Sequence, residues 1–124
     1  NIYINILMAE IFGGDRNDFL KLLDSNNGVL IFKFTADWCS PCQKVKPYVD
    51  SHIESIKTYT TRVFEVDVDD CFDLFAFMKT KKMMKGIPTL MAYKKGNNNY
   101  PPNQSISGAD IDEINTFFLQ CRNL

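Results

Sequence analysis

The chain predicts an α/β fold: a central mixed β-sheet flanked by helices on both faces. Three observations carry this. Apolar strand candidates alternate with amphipathic helix candidates, which implies parallel pairing through helical crossovers. Val29–Thr35 is apolar at almost every position, as a strand covered on both sides must be. The last two strand candidates are close neighbours in sequence and so can pair antiparallel.

The elements follow in order. Asn1–Phe12 alternates weakly (Ile2, Ile4, Ile6), as an extension plus a short strand would, and Gly13-Gly14 breaks it. Asp15 can cap a helix carrying Phe19, Leu22 and Leu23, which ends at Asn26-Asn27-Gly28. After the Val29–Thr35 strand, a helix runs from about Ser40 to Ile56. Pro41 suits its first turn and Pro47 should kink it. Val45, Tyr48, Val49, His52, Ile53 and Ile56 form its apolar stripe. Arg62–Asp67 is a second central strand, and Asp69 or Asp70 can cap a short helix with Phe72, Leu74, Phe75 and Met78. Thr80–Lys85 is a basic connector. Leu90–Lys94 is a strand, Asn97–Gln104 a solvated loop, and Ser105–Ser107 a short edge strand. Asp110 with Glu113 has the capping-box pattern ahead of a helix bearing Ile111, Ile114, Phe118 and Cys121.

A length of 124 residues suits one domain, with about 1–8 as an N-terminal extension. An apolar share of 45% against 23% charged argues for a packed core rather than disorder. A net charge of −1 excludes a nucleic-acid module that works by bulk positive charge. Apolar runs such as Val29-Leu30-Ile31-Phe32 fall far short of the ~18 residues a membrane span needs. We therefore expect neither nucleic acid nor membrane as a partner. No leader pattern is legible in the chain as it stands, and a cytoplasmic location is the expectation.

Of four cysteines, Cys39 and Cys42 are three apart, while Cys71 and Cys121 are isolated. A secreted disulfide scaffold would be denser in cysteine. A structural zinc site would want a second close Cys or His pair, and the chain has a single His. No metal and no bound cofactor are expected. The pair reads as a redox dithiol. Cys39 falls where a strand ends and a helix begins, and unpaired N–H groups there favour a thiolate. Cys42 is one turn later on the same face, within disulfide reach. The spacing thus offers a nucleophile with a resolving thiol behind it. Cys71 follows Asp67, Asp69 and Asp70, which raise a thiol pKa, so a packing role is expected for it and for Cys121. His52 lies more than two helical turns from Cys39 and is read as structural.

Several segments together resemble the thioredoxin family. Phe34-Thr35-Ala36-Asp37-Trp38-Cys39-Ser40-Pro41-Cys42 is similar to its active-site segment, with Ser40 where Gly is usual. Gly86-Ile87-Pro88-Thr89 resembles its cis-proline loop, Pro47 its helix-kinking proline, and Gly108-Ala109 the glycine segment beside the site. Phe64–Cys71 is similar to the matching stretch of animal cytosolic members. The resemblance implies a thioredoxin-like fold over roughly 9–124 and thiol–disulfide exchange on proteins. It implies Cys39 as nucleophile, Cys42 as resolving thiol, and substrate contact at Trp38, Ile87, Pro88 and Gly108. It also implies a cis bond before Pro88 close to the dithiol. Disulfide-containing protein substrates and a thioredoxin reductase or other thiol reductant are the expected partners.

One departure concerns the base of the site. Six residues before the nucleophile, where the family usually has a buried Asp, stands Lys33. A buried lysine must be paired or neutral. Glu65, on the neighbouring strand of this fold, is its expected partner, and the pair, with Pro41, is expected to tune the dithiol. The Gly96–Gly108 loop is also longer than the family's usual one. Two other functions fit the same residues: a secretory-compartment disulfide oxidase or isomerase domain, and a thioredoxin-fold adaptor with weak or no turnover.

Overall fold

The computed structural model describes residues 9–124. The expected extension over 1–8 lies outside the described residues. The elements run β1 (Glu10–Ile11), α1 (Arg16–Asp24), β2 (Val29–Thr35), α2 (Ser40–Ile56), β3 (Thr61–Asp67), α3 (Phe72–Thr80), β4 (Thr89–Lys94), β5 (Gln104–Ser107) and α4 (Ile111–Cys121). The sheet order is β1-β3-β2-β4-β5. β3 pairs parallel with both β1 and β2, whereas β4 pairs antiparallel with β2 and β5. The mixed sheet expected from the sequence is therefore present, with β2 at its centre. β3, β4 and β5 each start one residue before the apolar pattern does, because ladder pairs Val29↔Thr61, Phe34↔Thr89 and Ala92↔Gln104 extend the backbone pairing.

Alternation along β2 divides the core. Leu30, Phe32 and Phe34 join Phe12, Phe19, Phe64, Leu74 and Tyr93 on the face covered by α1 and α3. Val29 and Ile31 join Val45, Ile53, Val63, Ile114, Phe117 and Phe118 under α2 and α4. Gly28 admits the chain to β2 at close quarters, since a Cβ there would sit 2.2 Å from the Thr60 carbonyl oxygen.

The helix starts show what capping decides. Asp15 and Asp18 form a reciprocal box at α1, each carboxylate accepting the other's backbone N–H at 3.0 Å. Asp110 accepts the Glu113 N–H at 3.0 Å at α4. At α3 the expectation fails: neither Asp69 nor Asp70 is the cap. The N-cap is Cys71, with no side-chain cap bond. Asp67 organises this turn instead, accepting from Asp69 N at 2.8 Å and, through its carbonyl, from Cys71 N at 2.9 Å. A second difference lies in the loop before β5, which is not simply solvated. Tyr100 is half-buried, with ring centroids 4.6 Å from Phe77 and 5.9 Å from Phe19, and its carbonyl accepts the Tyr93 hydroxyl at 2.6 Å.

Candidate active site

Cys39 is the N-cap of α2, with an extended backbone, and its Sγ accepts the Cys42 N–H at 3.3 Å. Pro41 sits in the first turn, where its missing N–H costs nothing. The turn leading in is pinned from both sides, because the Ala36 carbonyl accepts from Cys39 N at 3.2 Å and from Gln43 Nε2 at 3.2 Å. Cys39 and Cys42 are joined in a disulfide with a Cα–Cα separation of 5.2 Å. Both are buried, so a partner meets the pair only at its rim. When that disulfide opens, the Cys42 N–H and the helix start favour a thiolate at Cys39 over a thiol.

The rim gathers the other residues singled out from the sequence. Trp38 is not core: it is 67% exposed, and its indole N–H donates to Asp69 Oδ2 at 2.8 Å. That bond holds a large flat ring beside the sulfurs and explains why Asp69 is not free to cap α3. The Ile87–Pro88 peptide bond is cis, and the Ile87 carbonyl oxygen lies 3.9 Å from Cys39 Sγ. Gly108 donates its N–H to the Pro88 carbonyl at 2.9 Å, with φ +113°, a region glycine enters without strain. Trp38, Ile87, Pro88 and Gly108 thus surround one disulfide, although 70 positions separate the first from the last.

Beneath it lies a cavity of about 120 Å³, lined by Cys42, Pro88 and Gly108 above and Lys33, Glu65 and Asp67 below. The Lys33 side chain is only 8% exposed. Its Nζ stands 3.1 Å from Glu65 Oε1, on the register partner of Lys33, and 3.4 Å from Asp50 Oδ1. Asp50 also accepts from Lys46 Nζ at 2.9 Å. Burial pushes the Asp50 carboxyl up, but the Lys46 hydrogen bond and the two ammonium charges outweigh it and hold it below the ordinary range. The bond to Asp50 likewise holds the Lys46 ammonium above its ordinary range. Sequence reasoning missed Asp50. Its signal was the Lys46/Asp50 pair at i,i+4.

The remaining cysteines and the histidine lie outside this group. Cys71 is buried, donates its thiol to the Phe12 carbonyl at 3.2 Å, and is pushed up by burial and by Asp70 and Asp67. Burial pushes the Cys121 thiol up to about 12. His52 stacks on Phe118 at 4.6 Å and shares a 2.6 Å hydrogen bond with Asn115, joining α2 to α4. Among the described residues no group of three or more His, Cys, Asp or Glu is placed to hold a metal ion.

Comparison with known proteins agrees with this geometry. The family model described as Thioredoxin matches residues 12–119. Thioredoxin of Oryctolagus cuniculus is 38% identical over 82 residues, spanning 65% of this chain and 72% of that protein. Thioredoxin of Equus caballus is 42% identical over 83 residues, with the same shares. Among solved structures, Trichomonas vaginalis thioredoxin superposes with a TM-score of 0.70 at 24% identity, covering 90% of this chain and 96% of that one. At that identity it speaks for the fold alone. With the fold, the family model and a cysteine pair at disulfide distance in the active-site position, the chain belongs to the thioredoxin family of protein-disulfide oxidoreductases.

Proposed function

We propose that this protein works in the reducing direction, as a single thioredoxin domain in the cytoplasm that carries electrons to protein disulfides and helps maintain redox balance. The observation that carries this reading is Cys39 at the N-cap of α2, disulfide-bonded to Cys42 and ringed by Trp38, Ile87, Pro88 and Gly108.

In the dithiol form the Cys39 thiolate attacks one sulfur of a substrate disulfide. A mixed disulfide forms, and the other substrate sulfur leaves as a thiolate. Cys42, as thiolate, then attacks Cys39 Sγ, releases the second substrate thiolate and restores the intramolecular disulfide. Two electrons pass to the substrate, and the two protons of the dithiol end on its thiols. A thioredoxin reductase or another thiol reductant supplies two electrons and two protons to reopen the pair. Trp38 and Ile87 give the substrate an apolar rim, and the backbone at Ile87–Pro88 and Gly108 gives an extended segment an edge to lie along.

Lys33 and Glu65 tune this chemistry in our reading. A positive charge under the dithiol favours thiolate, stabilises the reduced form and makes the disulfide more oxidising, while Glu65 and Asp50 cancel part of that. The test is turnover: catalytic amounts of the protein, supplied with a thioredoxin reductase, should speed reduction of a protein disulfide. Cys39→Ser should abolish this. Full turnover by Cys39→Ser would overturn the reading, and no turnover by the wild type would leave an adaptor in its place.

A further inference from the structure

Four of the chain's 14 basic residues fall within seven positions, at Lys79, Lys81, Lys82 and Lys85, in a chain whose net charge is −1. All four are exposed. Among the described residues none of them forms a salt bridge. The segment is nevertheless held in place. Met84 is buried, Met83 N donates to the Met78 carbonyl at 2.9 Å, and Lys85 N reaches Ser107 Oγ at 3.5 Å.

Stabilisation of a helix C-terminus accounts for the first of these lysines. That effect fades within the last turn, and α3 ends at Thr80. Lys82 and Lys85 lie beyond it, where the chain turns toward the dithiol. Lys85 is two residues from Ile87, whose carbonyl oxygen is 3.9 Å from Cys39 Sγ. Two Cα steps span at most about 7.6 Å, within one Debye length at physiological salt. On the Trp38 side of the rim the exposed charges are Asp37, Asp69 and Asp70. The rim is thus positive beside Ile87 and negative beside Trp38.

We propose that Lys82 and Lys85, backed by Lys79 and Lys81, form a docking surface for substrate proteins whose disulfide is flanked by Asp or Glu. The inference rests on reduction through Cys39 and Cys42 as proposed above and adds a substrate class to it. An extended segment laid along Ile87 alternates its side chains, so one set faces the lysine segment. Acidic side chains there gain in encounter rate and in correct orientation, and basic ones are repelled.

Two peptides of equal length, each with one intramolecular disulfide, test this. One carries Asp and Glu beside its cysteines, the other Lys and Arg. The wild type should reduce the acidic peptide about tenfold more efficiently at low ionic strength, with the ratio falling toward one in high salt. Lys82→Glu/Lys85→Glu should abolish or invert that preference. Lys94→Glu/Lys95→Glu makes the same charge change at the far end of β4, about 17 Å along the strand, and should leave the preference intact. A small neutral disulfide should be reduced at the wild-type rate by both double variants, showing that the dithiol is undisturbed. Equal rates for the two peptides, or an equal loss of preference in the Lys94/Lys95 variant, would overturn the docking surface alone. Failure of the wild type to reduce even the neutral disulfide would overturn the reductase reading and this inference with it.

Discussion

On one face of the sheet Phe32 meets Phe19 at 4.7 Å, Phe64 at 5.4 Å and Tyr93 at 5.7 Å, ring against ring beneath α1. On the other, Lys33 stands among aliphatic side chains beneath α2, beside a cavity that reaches Cys42. Both faces are helix-covered, and β2 contributes to both. The aromatic face buries rings and no charge, its Tyr93 hydroxyl being satisfied by the Tyr100 carbonyl. The α2 face takes the Lys33 ammonium out of water, at several kcal/mol before pairing with the partly exposed Glu65 and Asp50 offsets it. An aliphatic residue at position 33 would avoid that cost. Cys39 and Cys42 pack with the aromatic cluster, yet the charge reaches Cys42 through the cavity under α2, so one face supplies rigid packing behind the dithiol and the other places a charge beside it.

Substitutions can break or sharpen that contrast. Phe32→Ala, in the middle of the aromatic face, should lose about 3–5 kcal/mol in denaturant unfolding while leaving the reduction potential nearly unchanged. Lys33→Asp should lose about 2–3 kcal/mol, because the new carboxylate faces Glu65 and Asp50. The loss is smaller than for a sealed pair, since the Glu65 and Asp50 side chains keep 33% and 45% exposure. Unlike Phe32→Ala, Lys33→Asp should also lower the reduction potential. The double swap with Glu65→Lys should recover stability over the two single variants. Strict additivity would mean that the residues are not coupled.

Two smaller effects complete the series. Tyr93→Phe removes the bond that ties the aromatic face to the Tyr100 loop and should cost about 1 kcal/mol, read by the same unfolding measurement. Asp50→Asn should cost about 0.5 kcal/mol at neutral pH, since this pair is partly exposed and screened. The sign follows from the direction of the Asp50 shift. Its folded carboxyl is held below the ordinary range, so its stabilisation is complete above about pH 4 and is lost as pH falls through the lower folded value. Wild type and Asp50→Asn should therefore converge in stability in acid. A gap that persists at pH 2 would sink this assignment.

Much of this was legible in the chain for a local reason. A strand covered on both sides is expected to be mostly apolar, and Val29–Thr35 is, Lys33 and Thr35 apart. Caps at Asp15 and Asp110 act within three residues, so spacing alone reveals them. Cys39 and Cys42 likewise carry their geometry in a single helical turn. Contacts that close through space stayed hidden. Asp69 has the right type and place for a cap, yet its oxygen goes to Trp38, 31 positions away. Tyr100 lies in a polar stretch of sequence, and only the fold brings Phe19 and Phe77 against it. The resemblance to the family sets Glu65 on the strand beside Lys33 and so pairs them, whereas Asp50 arrives from α2, whose rotation over the sheet no local pattern specifies.

The claim under all of this is that Cys39 is the attacking sulfur and Cys42 the resolving one. The most direct measurement is to incubate reduced Cys42→Ser with a disulfide-containing protein, digest the trapped complex and locate its linkage by mass spectrometry. The account predicts a stable mixed disulfide through Cys39, absent with Cys39→Ser. A complex that forms readily with Cys39→Ser and maps to Cys42 would reverse the roles and contradict it.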